Sequence, residues 1–130
     1  MSFIRKTVSI ALATVTATFV LASPAAASRN LGWLYTDNRG GAVFFDADLN
    51  DTAGLEKITV CDNASNGWGV RAVVDDFDGV GSYTVEDPSN DGHCKAIQGQ
   101  FFTEEHRIDV MVYEYRGSET RNLALGSGVS

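Results

Sequence analysis

Beyond residue 28 the apolar residues recur at every second position in short runs, and no stretch repeats them at helical spacing. That period puts apolar side chains on one face of a pleated strand and polar ones on the other. Runs rich in Val, Ile, Phe, Tyr and Thr predict strands over 32–36, 42–47, 55–61, 68–75, 81–85, 93–98, 107–116 and 120–125. Between them, 37–41, 62–67, 76–79 and 87–92 are rich in Asp, Asn, Ser and Gly. Gly and Asn accept positive φ there, and Asp bonds to its own backbone, so these read as turns. In the fourth run Trp68, Val70, Ala72 and Val74 share a face, and in the second Val43, Phe45 and Ala47 do, which marks Trp68 and Phe45 as core. Ile108, Val110 and Val112 form a similar stripe, while Met111, Tyr113 and Tyr115 give the same run a second weighted face, as expected of a central strand. The tail 126–130, of Gly, Ser and Val, is expected to fray. The pattern as a whole predicts an all-β fold, an antiparallel β-sandwich of about seven to eight short strands, forming one domain over 28–130.

The first 27 residues have a different character. Arg5 and Lys6 lead an apolar run that ends in Ser-Pro-Ala-Ala-Ala, and every Asp, Glu, Gly and Cys lies beyond it. A short positive start, an apolar middle and small residues at Ala25 and Ala27 describe a secretory signal peptide over 1–27, cut after Ala27. The apolar run, of roughly 16 residues, is shorter than the ~20 that span a bilayer. Removing the leader changes the charge: the remaining 103 residues carry 8 basic and 17 acidic side chains, a net of −9 rather than −7. Such a surface repels phosphate, so nucleic acid is an unsuitable partner, and no later run suits a membrane. Export also gives meaning to Cys61 and Cys94, the only cysteines. In an oxidising compartment a lone pair joins, and their spacing lacks the C-x-x-C and His pattern of a zinc site.

The segments Gly41-Ala42-Val43-Phe44-Phe45, Ile58-Thr59-Val60-Cys61-Asp62 and Gly69-Val70-Arg71-Ala72-Val73-Val74, with a polar turn ending at Gly67, resemble small secreted actinobacterial proteins of unknown function. The likeness covers about 35 of the 130 residues and extends loosely to Gly92-His93-Cys94. It implies an exported β domain with a disulfide and carries no catalytic residues. Where such proteins often have Asp-Gly in the turn, this chain has Asn66-Gly67.

Candidate chemistry is sparse. Asp46, Asp48, Asn50 and Asp51 alternate as the first half of a calcium loop would, but the sixth and twelfth positions are Asp51 and Lys57 where Gly and Glu are needed. A solvated loop is the better reading, so these remain weak calcium candidates, with Asp75, Asp76 and Asp78 weaker still. Glu104, Glu105, His106 and Asp109 hold the groups of acid-base catalysis, yet adjacent strand residues face opposite ways, so the two glutamates would not flank one bond. No nucleophile elbow, phosphate-cradling loop or cofactor motif occurs. Exposed aromatics are the remaining signal, and Trp33, Tyr35, Tyr113 and Tyr115 are the candidate binding surface. The function expected is therefore that of a secreted, non-enzymatic binding or interaction module for an extracellular protein or carbohydrate, with no cofactor and its oligomeric state open. The alternatives are an inhibitor of an extracellular hydrolase, acting through loop 63–67 or 87–92, and a small hydrolase or toxin using Glu105, His106 and Asp109.

Overall fold

The computed structural model describes residues 27–130, so all of the expected leader but Ala27 lies outside the described residues. Eight strands follow one another: β1 (Leu31–Tyr35), β2 (Gly41–Asp46), β3 (Glu56–Asp62), β4 (Gly69–Asp76), β5 (Ser82–Asp87), β6 (Lys95–Gly99), β7 (Arg107–Arg116) and β8 (Glu119–Val129). They form two antiparallel four-stranded sheets, a first of order β1-β2-β3-β6 and a second of order β5-β4-β7-β8. The fold is thus the expected all-β sandwich, with strand ends within a residue or two of those predicted except at β8. Among the described residues no helix is long and apolar enough to cross a membrane.

The core is made by the inner stripes that alternation marks. Val43 and Phe45 of β2 and Ile58 and Val60 of β3 face Val70, Ala72 and Val74 of β4 and Ile108, Val110 and Val112 of β7, all fully buried or nearly so. Each of the Val, Ile and Phe side chains contributes about 1.5–3 kcal/mol by leaving water. Trp68 does not join them. The Asn66 side chain accepts the Trp68 N–H at 2.9 Å, and Gly67 takes φ 75°, so the turn holds Trp68 outside the pleat and β4 begins one residue later.

Nor does the tail fray. Residues 126–129 complete β8, and Arg29 and Val129 exchange backbone hydrogen bonds of 2.8 and 3.1 Å that join the first sheet's margin to the second's. Ser130 is buried: its N–H donates to the His106 carbonyl at 3.0 Å, its carbonyl accepts the Glu105 N–H at 2.6 Å, and its hydroxyl donates to the Thr103 carbonyl at 2.5 Å. Glycine is what admits this close approach, since a Cβ at Gly128 would stand 2.9 Å from the Arg29 carbonyl oxygen and 3.3 Å from the Phe45 ring. At the other end of the same margin the Asp37 N–H donates to the Asn122 carbonyl at 3.3 Å.

Cys61 and Cys94 are bonded, with Cα atoms 4.3 Å apart. Val60 pairs with Lys95 in the β3/β6 register, so the bridge continues that ladder by one step beyond its last rung.

Candidate functional site: the outer face of the second sheet

The register of the second sheet sorts its outward side chains into rows that cross the strands. One row is apolar: Val73 of β4 pairs with Met111 of β7, which pairs with Leu125 of β8. Leu125 is 70% exposed and the adjacent outward Leu123 47%, large values for leucine. On one side of this row Asp75 pairs with Asp109, and on the other Arg71 pairs with Tyr113 and with Glu86. Two shallow depressions flank Met111. The first, of 390 Å³, is bordered by Asp75, Arg107, Asp109, Leu125 and Ser127, and the second, of 370 Å³, by Tyr113, Arg121, Asn122 and Leu123.

The polar end of the face is tightly organised. Arg71 donates from Nε to Glu86 at 2.6 Å and from Nη1 to the Tyr113 hydroxyl at 3.4 Å, with its guanidinium 4.4 Å from the centre of the Tyr115 ring. The Tyr115 hydroxyl donates to Glu86 at 3.2 Å. The Tyr113 hydrogen bond and the Glu86 carboxylate raise the already high Arg71 pKa, and burial, assisted by Glu86, raises that of Tyr115. Both are therefore fixed in their usual states, a cation and a neutral phenol. At the opposite end two acids stand directly across from each other, an arrangement that destabilises a sheet. Arg107 pairs with Asp109 at 2.8 Å, whereas Asp75 is exposed and forms no ion pair among the described residues.

Of the four aromatics expected to form a surface, the fold brings two together. Tyr113 and Tyr115 lie on this face. Trp33, 47% exposed, packs on Phe44 with ring centroids 5.4 Å apart, on the outer side of the first sheet, and Tyr35 lies there beneath the Arg39 guanidinium at 4.3 Å. The sandwich separates the pairs.

The other candidate groups do not converge. His106 turns to Asp76 at 2.9 Å, Asp109 to Arg107, and Glu105 sits at φ 66° with its N–H on Ser130, so the residues of the hydrolase reading face three ways. In the acidic loop, Asp48 accepts the Gly54 N–H at 3.3 Å to shape the turn before β3, and Asn50 and Asp51 both take positive φ. Among the described residues no group of three or more His, Cys, Asp or Glu is arranged to hold a metal ion. Loops 63–67 and 87–92 do meet, around a 350 Å³ depression that includes Trp68, Pro88 and Asn90. Loop 87–92 is tied to the end of β3: the Asp62 N–H donates to Asp87 at 2.8 Å and the Asn90 side chain donates to the Asp62 carbonyl at 3.2 Å.

Beneath that end lies a group that sequence reasoning missed. Glu114, fully buried, accepts from Asn66 at 2.8 Å, Arg121 at 2.9 Å, Asn38 at 3.1 Å and, closely, Asn122. Burial alone would raise its pKa, but these donors outweigh burial and hold the carboxyl below the ordinary glutamate range. A bulge in β8 makes the double grip possible: Val112 pairs with Ala124 but Glu114 with Arg121, and Asn122 takes φ 53°, so consecutive residues reach one carboxylate. Gly40 allows the first hairpin to close over it, since a Cβ there would lie 2.5 Å from Glu114 Oε1. Trp68 completes the lid, flanked by Arg121 at 4.0 Å and Arg116 at 4.4 Å. The signal was present in the stripe of Ile108, Val110 and Val112, which continues by two to Glu114. Arg71 and Asp76 were also missed as partners of Tyr113 and His106, because their positions depend on the register between strands.

Comparison of the chain with family models, with curated proteins and with solved structures gives no match.

Proposed function

We propose that the protein is a secreted, non-enzymatic interaction module whose working surface is the outer face of the second sheet. The observation that carries this reading is the apolar row of half-buried Val73 and Met111 ending in the exposed Leu125, bounded by charge on both sides and flanked by two depressions. Exposed apolar area bordered by polar groups is the usual sign of a protein contact. A protein suits it better than a sugar, because Arg71 already covers the Tyr115 ring that a sugar would stack on. Secretion accords with the disulfide, which needs an oxidising environment, and with the leader in the sequence.

The test is retention of the protein, expressed from the full chain and recovered from the culture medium, on immobilised extracellular proteins and insoluble polysaccharides. Met111→Lys should abolish retention while Asn90→Ala leaves it intact. The reverse result would overturn the reading in favour of the inhibitor alternative, which the anchoring of loop 87–92 to the end of β3 beside loop 63–67 supports.

A further inference from the structure

The outer face of the second sheet is complementary to itself, and we infer that its partner is a second copy of this chain. The inference rests on the reading of that face as the interaction surface and adds the identity of what covers it. Consider a half-turn about an axis that lies between two facing sheets and runs along the apolar row, across the strands. Val73, Met111 and Leu125 then meet their own counterparts. Positions two residues before and after that row are exchanged, so on β4 Arg71 of one copy stands over Asp75 of the other. On β7 the Tyr113 hydroxyl meets Asp109. Each of these contacts occurs twice.

The pairing answers a feature that the isolated sheet leaves costly. Asp75 and Asp109 are directly opposed, and Asp75 has no cation of its own among the described residues. Arg71 of a second copy would supply one, with the guanidinium already ordered by Glu86 and Tyr113. Glu86 and Ser82 lie at equal distances from the centre of β5, at Thr84, so the half-turn sets the acid over a hydroxyl and not over another acid. The same operation therefore matches apolar with apolar and sets no like charges over one another at the positions that flank the row on β4, β5 and β7. With strands ~4.8 Å apart and ~3.3 Å per residue, the patch spans about 19 by 20 Å, an area that suits a weak, reversible pair rather than an obligate dimer.

Sedimentation equilibrium of the protein recovered from the medium, between about 1 µM and 1 mM, should give a mass rising from one copy towards two. Leu125→Glu alters a side chain that the fold does not need, and should weaken association at least about tenfold by setting two carboxylates together at the interface. Arg71→Asp and Asp75→Arg should each be monomeric alone, the first facing Asp75 and the second Arg71. An equimolar mixture of the two should associate within about threefold of the wild type, because every charge then meets its opposite. A wild type that stays monomeric throughout, or a mixture no more associated than its components, overturns the second copy as partner. If Met111→Lys nevertheless abolishes retention on an extracellular ligand, the interaction face stands and only the dimer falls. Association that ignores all three substitutions overturns the assignment of this face to the dimer.

Discussion

Two buried glutamates sit in one small core and are held in opposite ways. Glu114 receives four side-chain donors, whereas Glu56 receives one backbone N–H, from Phe101 at 2.8 Å, and its Oε1 is buried without a partner. Burial raises the Glu56 pKa above its ordinary value of 4.5, while the donors carry Glu114 below the same value. The consequences for stability have opposite sign. A lowered carboxyl stabilises the fold above pH 4.5 and loses that contribution as pH falls through its folded value. A raised one contributes fully below pH 4.5 and loses that contribution as pH rises through its folded value. Glu114→Gln should therefore cost about 2–3 kcal/mol at pH 7, with the deficit shrinking in acid. Glu56→Gln should stabilise the protein by about 1 kcal/mol at pH 7 and have little effect in acid. Thermal unfolding of both variants at pH 7 and pH 3.5 checks the signs; a shift in the same direction for both would refute the distinction. Alternation in the sequence brings Glu114 inward, so its burial was legible. Its donors were not, because Asn38, Asn66, Arg121 and Asn122 come from three separate stretches of chain and meet only after β7 is central and β8 has bulged.

At the level of strands, short alternating runs of aliphatic and aromatic residues were enough to mark all eight, since each strand packs apolar side chains on the core between the sheets. The failure lies at the end of β8, where Gly126, Ser127 and Gly128 have the composition of a loose tail. Composition describes the freedom of an isolated segment, and here the neighbours remove it: Arg29 pairs with Val129, and residues 103–106 close over Ser130. Gly128→Val should therefore behave as a core substitution, costing about 1–3 kcal/mol through contact with the Arg29 carbonyl and Phe45. Deleting residues 126–130 should be far worse, lowering the melting temperature by more than about 10 °C, because Leu31 and Leu34 lose the strand they pack on. Circular dichroism melts of the two variants measure both effects. A melting temperature unchanged by the deletion would mean that the tail is as loose as its composition suggests.

The whole molecule explains why the candidate surface was half legible. Alternation shows which residues face outward but not which sheet they face outward from, so Trp33 and Tyr35 were grouped with Tyr113 and Tyr115, from which the thickness of the sandwich divides them. Strand order also decides what the disulfide does. Cys61 and Cys94 join neighbouring strands of the first sheet, yet the 33-residue separation between them contains β4 and β5, which belong to the second. The bridge thus closes a ring of chain from which a whole hairpin leaves one sheet, lies in the other and returns. In kinetic terms, pairing β3 with β6 becomes a local event in the oxidised chain and a distant one in the reduced chain. Bringing those ends together costs roughly 3 kcal/mol, so if that pairing forms at the barrier the oxidised protein should refold about a hundredfold faster, while the two forms unfold at similar rates. Stopped-flow refolding with and without reductant distinguishes this from the opposite case, in which reduction accelerates unfolding and leaves refolding unchanged. The order of events would then be set by the bond: the ladder beside it first, the excursion to the second sheet next, and β7 entering between β4 and β8 to complete the face proposed for a second copy.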